Sequence, residues 1–207
     1  MGRRRLASLL VVLGLALTAV QSSPASAGCG LGSTDPTVRA FRSPTMRSAA
    51  VLVYGDSITF SVARRFTALH PEVAVDAWGG RRTLDAAEAL ARDLVDRPAP
   101  RVVVMAMGTN DTQGAGNVGA LARQVRTALP ASTRLLWLTT YAEPWPGWEE
   151  VNAQLAGVPG VELVDWAAVN RRARGTTTRS PLLTDGVHLA CSGADAWLRL
   201  VDQALRA

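Results

Sequence analysis

The sequence predicts an α/β domain of three layers, α/β/α, with helices on both faces of a central parallel sheet of about five strands. Two observations predict it. From about residue 49 onward, short apolar runs alternate with segments of helical period, and strands that alternate with helices in this way pair in parallel through right-handed crossovers. The run 101–107 is apolar at every position after Arg101, which suits a strand covered on both faces.

In chain order, the apolar runs place strands at 50–54, 73–77, 101–107, 134–139 and 161–164. Segments with an apolar period near 3.6 place helices between them at 58–69, 84–95, 118–129 and 148–156, with a closing helix at 193–205. Residues 28–48 are rich in Gly, Ser, Thr and Pro and lack periodicity, so they read as an irregular leader segment. The folded domain is expected to span 49–207, without an internal repeat or a second domain.

Residues 1–27 read as an export signal. Arg3, Arg4 and Arg5 are followed by an almost wholly apolar stretch from Leu6 to Val20 and by the small-residue site Ala25-Ser26-Ala27. That stretch is shorter than the roughly 20 residues a spanning helix needs, so cleavage before Gly28 is expected, with no stable membrane insertion afterwards and a secreted or envelope-associated product. Three of the 22 basic residues and none of the 17 acidic ones precede Gly28, so the formal charge of +5 falls to +2. Every basic residue is Arg. A modest charge with no clustered basic helix gives nucleic acid no support as a partner. The only cysteines are Cys29 and Cys191, and an even count in an exported chain predicts a disulfide between them. The alternative is a lipid on Cys29, since Ser26-Ala27-Gly28-Cys29 approaches a bacterial lipobox.

In an open parallel sheet, ligands sit beyond the carboxyl ends of the strands near a switch point. Those ends carry Gly55-Asp56-Ser57 after the first strand, Gly79-Gly80 after the second, Gly108-Thr109-Asn110-Asp111 after the third, and Asp185-Gly186-Val187-His188 before the last helix. Each is ordinary alone, as a helix cap or a turn. Together they hold every part of an acyl-transfer site. A serine hydroxyl needs a base, and the chain has two histidines, His70 and His188. His70 lies in Leu69-His70-Pro71 and reads as a helix C-cap, which leaves His188 as the base of Ser57. Asp185 can orient the other imidazole nitrogen. The Ser57 amide, an amide of Gly80 or Gly79, and the Asn110 side chain are candidate oxyanion donors. Two distant histidines and no Cys-x-x-Cys offer no metal ligand cluster, and no cofactor is expected.

These four blocks resemble those of the SGNH, or GDSL-type, hydrolases over 49–207. The resemblance implies a flavodoxin-like sheet, Ser57 as nucleophile, Asp185 and His188 completing the triad, and Ser57, Gly80 and Asn110 forming the oxyanion hole. The second block departs from the family in reading Gly80-Arg81-Arg82-Thr83, which leaves the choice between Gly79 and Gly80 open. The stretch 144–152, with Val164-Asp165-Trp166, also looks like the SGNH domains appended to bacterial membrane acyltransferases. Trp145 and Trp148 there suit either stacking on a sugar or packing a loop. The implied function is an exported, monomeric serine esterase acting on a small-molecule or glycan ester through an acyl-enzyme on Ser57. The alternatives are an acyltransferase that passes the acyl group to a sugar hydroxyl, and a non-catalytic envelope-binding module.

Overall fold

The computed structural model describes residues 40–112 and 116–207. The expected export signal, most of the leader segment and Cys29 lie outside these residues. A six-stranded sheet runs through the described chain in the order β1-β3-β2-β4-β5-β6. Its strands are β1 (Ala40–Arg42), β2 (Val51–Gly55), β3 (Val73–Trp78), β4 (Val102–Ala106), β5 (Arg134–Leu138) and β6 (Val161–Val164). The pairs β3·β2, β2·β4, β4·β5 and β5·β6 are parallel, and β1 alone is antiparallel, against β3. Around the sheet lie α1 (Ser57–Leu69), α2 (Thr83–Asp93), α3 (Val118–Ala128), α4 (Trp148–Ala156), α5 (Trp166–Arg174) and α6 (Cys191–Arg206).

Alternate residues of each strand feed two separate cores, because successive side chains leave a pleated strand on opposite faces. Val51, Val53, Val75, Val104 and Leu136 join Ile58, Val62 and Phe66 of α1, Trp166 of α5 and Trp197 of α6. Leu52, Tyr54, Val103, Met105 and Leu135 join Leu90 of α2, Val125 of α3 and Val151 of α4. Apolar residues therefore fill most positions of the inner strands, buried Asp76 of β3 being an exception, and all five residues of β2 are buried. The three-layer architecture read from the sequence is the one observed.

Two elements differ from the sequence reading. The segment expected to be irregular contributes β1, which pairs Ala40 with Trp78 and Arg42 with Asp76. Its partners are distant in sequence. Ser43 N–H donates to the Val75 carbonyl and Ser43 Oγ accepts from Val75 N–H, at 2.8 and 2.9 Å, while Arg42 reaches Asp76 at 2.7 Å and Asp93 at 2.5 Å. The folded part thus begins before residue 49, and the sheet has six strands, five of them the parallel set. The second addition is α5. Asp165 caps it by accepting from Ala168 N–H at 2.9 Å, and Gly175 ends it at φ +52°. An N-capping Asp and a terminal Gly bracketing an arginine-rich segment were the available signals.

Candidate active site

Within the parallel set the chain steps from β2 to β3 on one side and then to β4 on the other. The strand order therefore reverses between β2 and β4, which opens a crevice at their carboxyl ends. Ser57 is the first residue of α1, directly beyond β2. Its amide precedes the first full helical turn and has no i−4 carbonyl to serve, and it stands at the positive end of the helix. Asp56 caps the helix, its Oδ1 accepting from Ile58 N–H at 2.9 Å. Gly55 permits this tight strand-to-helix turn, because a Cβ there would lie 2.1 Å from Thr59 Oγ1.

Ser57 Oγ lies 3.0 Å from His188 Nε2, and His188 Nδ1 lies 2.7 Å from Asp185 Oδ2. A carboxylate can only accept, so Nδ1 carries the imidazole proton and Nε2 is left to accept from the serine hydroxyl. Asp185 also accepts from its own loop, through Val187 N–H at 2.9 Å and His188 N–H at 2.7 Å. Partial burial works to raise its pKa, but the bonds from the His188 ring and from these two amides outweigh it and hold the carboxyl below its usual range. The loop is pinned at its ends. Thr184 N–H donates to the His188 carbonyl at 2.8 Å, and Leu183 bridges Leu189. Glu143, beyond β5, donates its N–H to the Gly186 carbonyl at 2.9 Å and accepts Ser180 N–H on Oε1 at 2.6 Å.

Ser57, His188, Gly79, Gly80 and Asn110 line one open cleft of about 410 Å³, with Trp145 and Val187 on its wall. The structure thus gathers the residues singled out in all four blocks. Asn110 sits in a short 3-10 turn (Thr109–Asp111) after β4 and donates one Nδ2 hydrogen to the Arg81 carbonyl at 3.0 Å. Its neighbour Asp111 faces away, accepting from Thr83 N–H at 3.1 Å and Thr83 Oγ1 at 2.7 Å at the start of α2. His70 is the C-cap of α1, its N–H donating to the Phe66 carbonyl. Its ring faces Glu72 and Asp202 at 3.5 and 3.6 Å, in a different groove. The two tryptophans divide. Trp145 borders the cleft, whereas Trp148 packs against Tyr141 with ring centroids 5.0 Å apart and the rings tilted by 52°. Among the described residues no group of three His, Cys, Asp or Glu side chains is placed to hold a metal, and no helix is long and apolar enough to cross a membrane. Sequence reasoning met Arg81 only as a departure in the second block, without a role, and passed over Glu143, which falls in no block.

No family model and no curated protein matches the chain. Solved structures do. The C-terminal catalytic domain of Streptococcus pneumoniae peptidoglycan O-acetyltransferase A superposes with a TM-score of 0.59 at 18% identity, over 76% of this chain and 93% of that one. A lipolytic protein of the G-D-S-L family from Veillonella parvula gives 0.60 at 15% identity, over 74% and 96%. A family 3 carbohydrate esterase from Talaromyces cellulolyticus gives 0.52 at 18%, over 75% and 95%. The chain has the fold of the SGNH, or GDSL-type, hydrolases.

The capping carboxyl beside the serine carries a testable charge. Burial pushes Asp56 up to about 6, against the opposing effect of the Ile58 N–H. Aspartate in an unfolded chain titrates near 3.9. Between those values the folded state holds a proton that the unfolded state has lost, so this group's contribution falls as pH rises from about 4 through about 6. Asp56→Asn keeps a capping oxygen and removes the charge. Relative to the parent it should gain about 2 kcal/mol between pH 4 and pH 7. Urea unfolding across that range is the measurement, and parallel stability curves for the two proteins would dismiss the coupling.

Proposed function

We propose that the chain is an exported serine esterase that cleaves short-chain carboxylic esters, including acetylated glycans of the cell envelope or of plants, by way of an acyl-enzyme on Ser57. The observation that carries this reading is the continuous line of hydrogen bonds from Asp185 through His188 to Ser57, opening into a solvent-facing cleft. In the reaction His188 Nε2 takes the Ser57 proton as Oγ attacks the ester carbonyl carbon. Asp185 holds the imidazole tautomer and stabilises the imidazolium. The carbonyl oxygen becomes an oxyanion facing the Ser57 amide, an amide of the Gly79-Gly80 turn and the second Nδ2 hydrogen of Asn110. His188 then returns the proton to the leaving alkoxide, and water, activated by the same imidazole, releases the acid and restores Ser57.

Shape supports a short acyl group. The triad is shallow, with the His188 and Asp185 side chains 48% and 55% exposed. The space beside Asp56, lined by Ile58, Met107, Leu138 and Trp166, is about 20 Å³, room for a single water rather than an alkyl chain. The alcohol portion would occupy the open cleft beside Trp145, where a pyranose face could stack. The likeness to a peptidoglycan O-acetyltransferase domain and to a carbohydrate esterase points the same way. Transfer to a sugar hydroxyl would use the same acyl-enzyme, and product analysis with excess acceptor separates it from hydrolysis.

Export and a bond from Cys29 to Cys191 belong to this reading, as does a monomeric state. Cys191 opens α6, three residues beyond His188, so a bond there would tether the base-bearing loop to the mature N-terminus. In the chain-entropy view closing so long a loop stabilises by up to about 5 kcal/mol.

Three outcomes are expected. Ser57→Ala and His188→Ala should each abolish turnover of an aryl acetate, and Ser57→Ala should also abolish fluorophosphonate labelling, whereas His70→Ala should cost only modest stability. Comparable losses at both histidines would contradict the assignment. Along a series of aryl esters, kcat/KM should fall at least about tenfold from acetyl to octanoyl, and a rise with chain length would exclude the short-acyl reading. Finally, the intact mass of the secreted protein should show loss of 1–27 and no alkylatable thiol before reduction. A diacylglycerol adduct on Cys29 would refute the disulfide.

A further inference from the structure

Arg81, the residue at which the second block departs from the family pattern, is fully buried immediately behind the cleft. Its Nη1 donates to the Asp76 carbonyl at 2.7 Å and its Nη2 to Asp76 Oδ2 at 3.3 Å. The guanidinium lies 3.7 Å from the centroid of the Trp78 ring. Both partners belong to the last three residues of β3. The side chain thus folds back on the strand from which its own loop departs. Trp78 and Arg81 are held together in this way, and between them only Gly79 and Gly80 remain.

Those two glycines have little else to fix them. A Cβ added at either would meet nothing within 4 Å, and Gly80 has φ +76°, a conformation glycine adopts without penalty but does not enforce. The far end of the turn is tied to the β4 loop. The Arg81 carbonyl accepts from Asn110 Nδ2, and two residues later Thr83 binds Asp111. One residue therefore joins two prospective oxyanion donors, through its side chain to the glycine turn and through its carbonyl to the Asn110 amide.

Burying this cation is costly. Its Nε has no hydrogen-bond partner, and burial drives its pKa down against the pull of Asp76. Apolar residues of similar volume often serve a core equally well or better than a buried ion pair. A guanidinium, however, supplies a planar fork with two fixed directions, which an apolar side chain or a lysine cannot reproduce.

We propose that Arg81 is a positioning residue of the active site, which sets the geometry of the Gly79-Gly80 turn and of the Asn110 amide so that both face the oxyanion. This rests on the esterase reading above. The residue touches no substrate and acts through its neighbours. Its loss should therefore weaken stabilisation of the transition state while leaving ground-state binding nearly intact.

The test is a kinetic double-mutant cycle in the full chain, with an aryl acetate as substrate and with Arg81→Lys, Arg81→Met and Asn110→Ala alone and combined. Arg81→Lys keeps the charge and loses the fork, so it remains informative if Arg81→Met does not fold. Loss of one oxyanion donor costs about 10²- to 10³-fold in kcat, and a donor displaced by about 1 Å costs up to about 10²-fold. Arg81→Lys should therefore lower kcat about 10- to 100-fold at nearly constant KM, with secondary structure retained. In the Asn110→Ala background the same substitution should cost several-fold less than in the parent, because one of the two donors it positions is already gone while the glycine turn remains. A stability role alone would lower the melting temperature equally in both backgrounds and leave kcat per folded molecule unchanged. Unchanged kcat, or equal losses in both backgrounds, would overturn the proposal. A parent protein without Ser57-dependent turnover or labelling would instead overturn the esterase reading, and this inference with it.

Discussion

A strand buried on both faces can present chemistry to solvent only where it ends. All of β2 is buried, flanked by β3 and β4 and covered by helices on both sides, so its side chains serve the two cores and none of them can reach a substrate. The first residues free of that duty are those of the turn into α1. Because the strand order reverses beside β2, that turn opens into a crevice and not onto the underside of a neighbouring connection. Ser57 inherits a helix N-terminus and a partly buried side chain that lines the cleft, on a helix that Val62 and Phe66 hold to the core. The placement of His188, Asn110 and the glycine turn around it follows from the same geometry, since each also lies beyond the carboxyl end of the sheet.

The carboxylates near this edge differ in environment, and the difference assigns their work. Asp185 is more than half exposed and accepts two backbone amides besides the His188 ring, so it stays ionised and can stabilise an imidazolium. Asp56 is buried with one oxygen unpartnered, and burial favours its protonated form. Asp76 and Asp93 instead meet arginine. Asp76 is shared by Arg42 and Arg81, and Asp93 binds Arg42 and the Tyr54 hydroxyl. This second group lies on the side of the glycine turn, where it ties the edge strand, β3 and α2 into one charged cluster. An aspartate in a capping turn, one in a histidine loop and one at a strand end are the same residue type with three separate roles.

How much of this was legible in the sequence depended on the range of the interaction concerned. The five parallel strands and their helices were readable because double-sided burial imposes apolar residues at nearly every inner position, a local and periodic signal. The four blocks were readable because turns at strand ends demand Gly, Asp, Ser and Asn for local reasons of capping and close approach. β1 was not readable. Three residues, Ala40 to Arg42, are too few to show a period, and their pairing is decided by Asp76 and Asp93, more than 30 residues away. Arg81 looked like a departure from a pattern because its destination, the end of β3, is a tertiary fact. Glu143 was silent for the same reason, since its partners Ser180 and Gly186 lie about 40 residues downstream. α5 was the one local element passed over although its cap residues, Asp165 and Gly175, were in plain view.

The hydrogen-bonded line from Asp185 through His188 to Ser57 is exposed at its side chains and held by the backbone beneath them. His188 and Asp185 stand in solvent, a poor environment for keeping two side chains in register, because exposed ion pairs alone gain little against side-chain entropy. Their alignment must then come from the backbone of the 184–189 loop. That loop is closed on itself by Thr184 and the Leu183 bridge and joined to the β5 exit by the Glu143 amide. Nearby, Asn152 grips Thr140 from both sides, accepting its N–H at 2.7 Å and donating to its carbonyl at 2.8 Å. Substrate access and base alignment would conflict if the imidazole itself had to be buried to be held. Anchoring the backbone beneath it removes the conflict, leaving an open cleft around a serine and histidine that remain 3.0 Å apart.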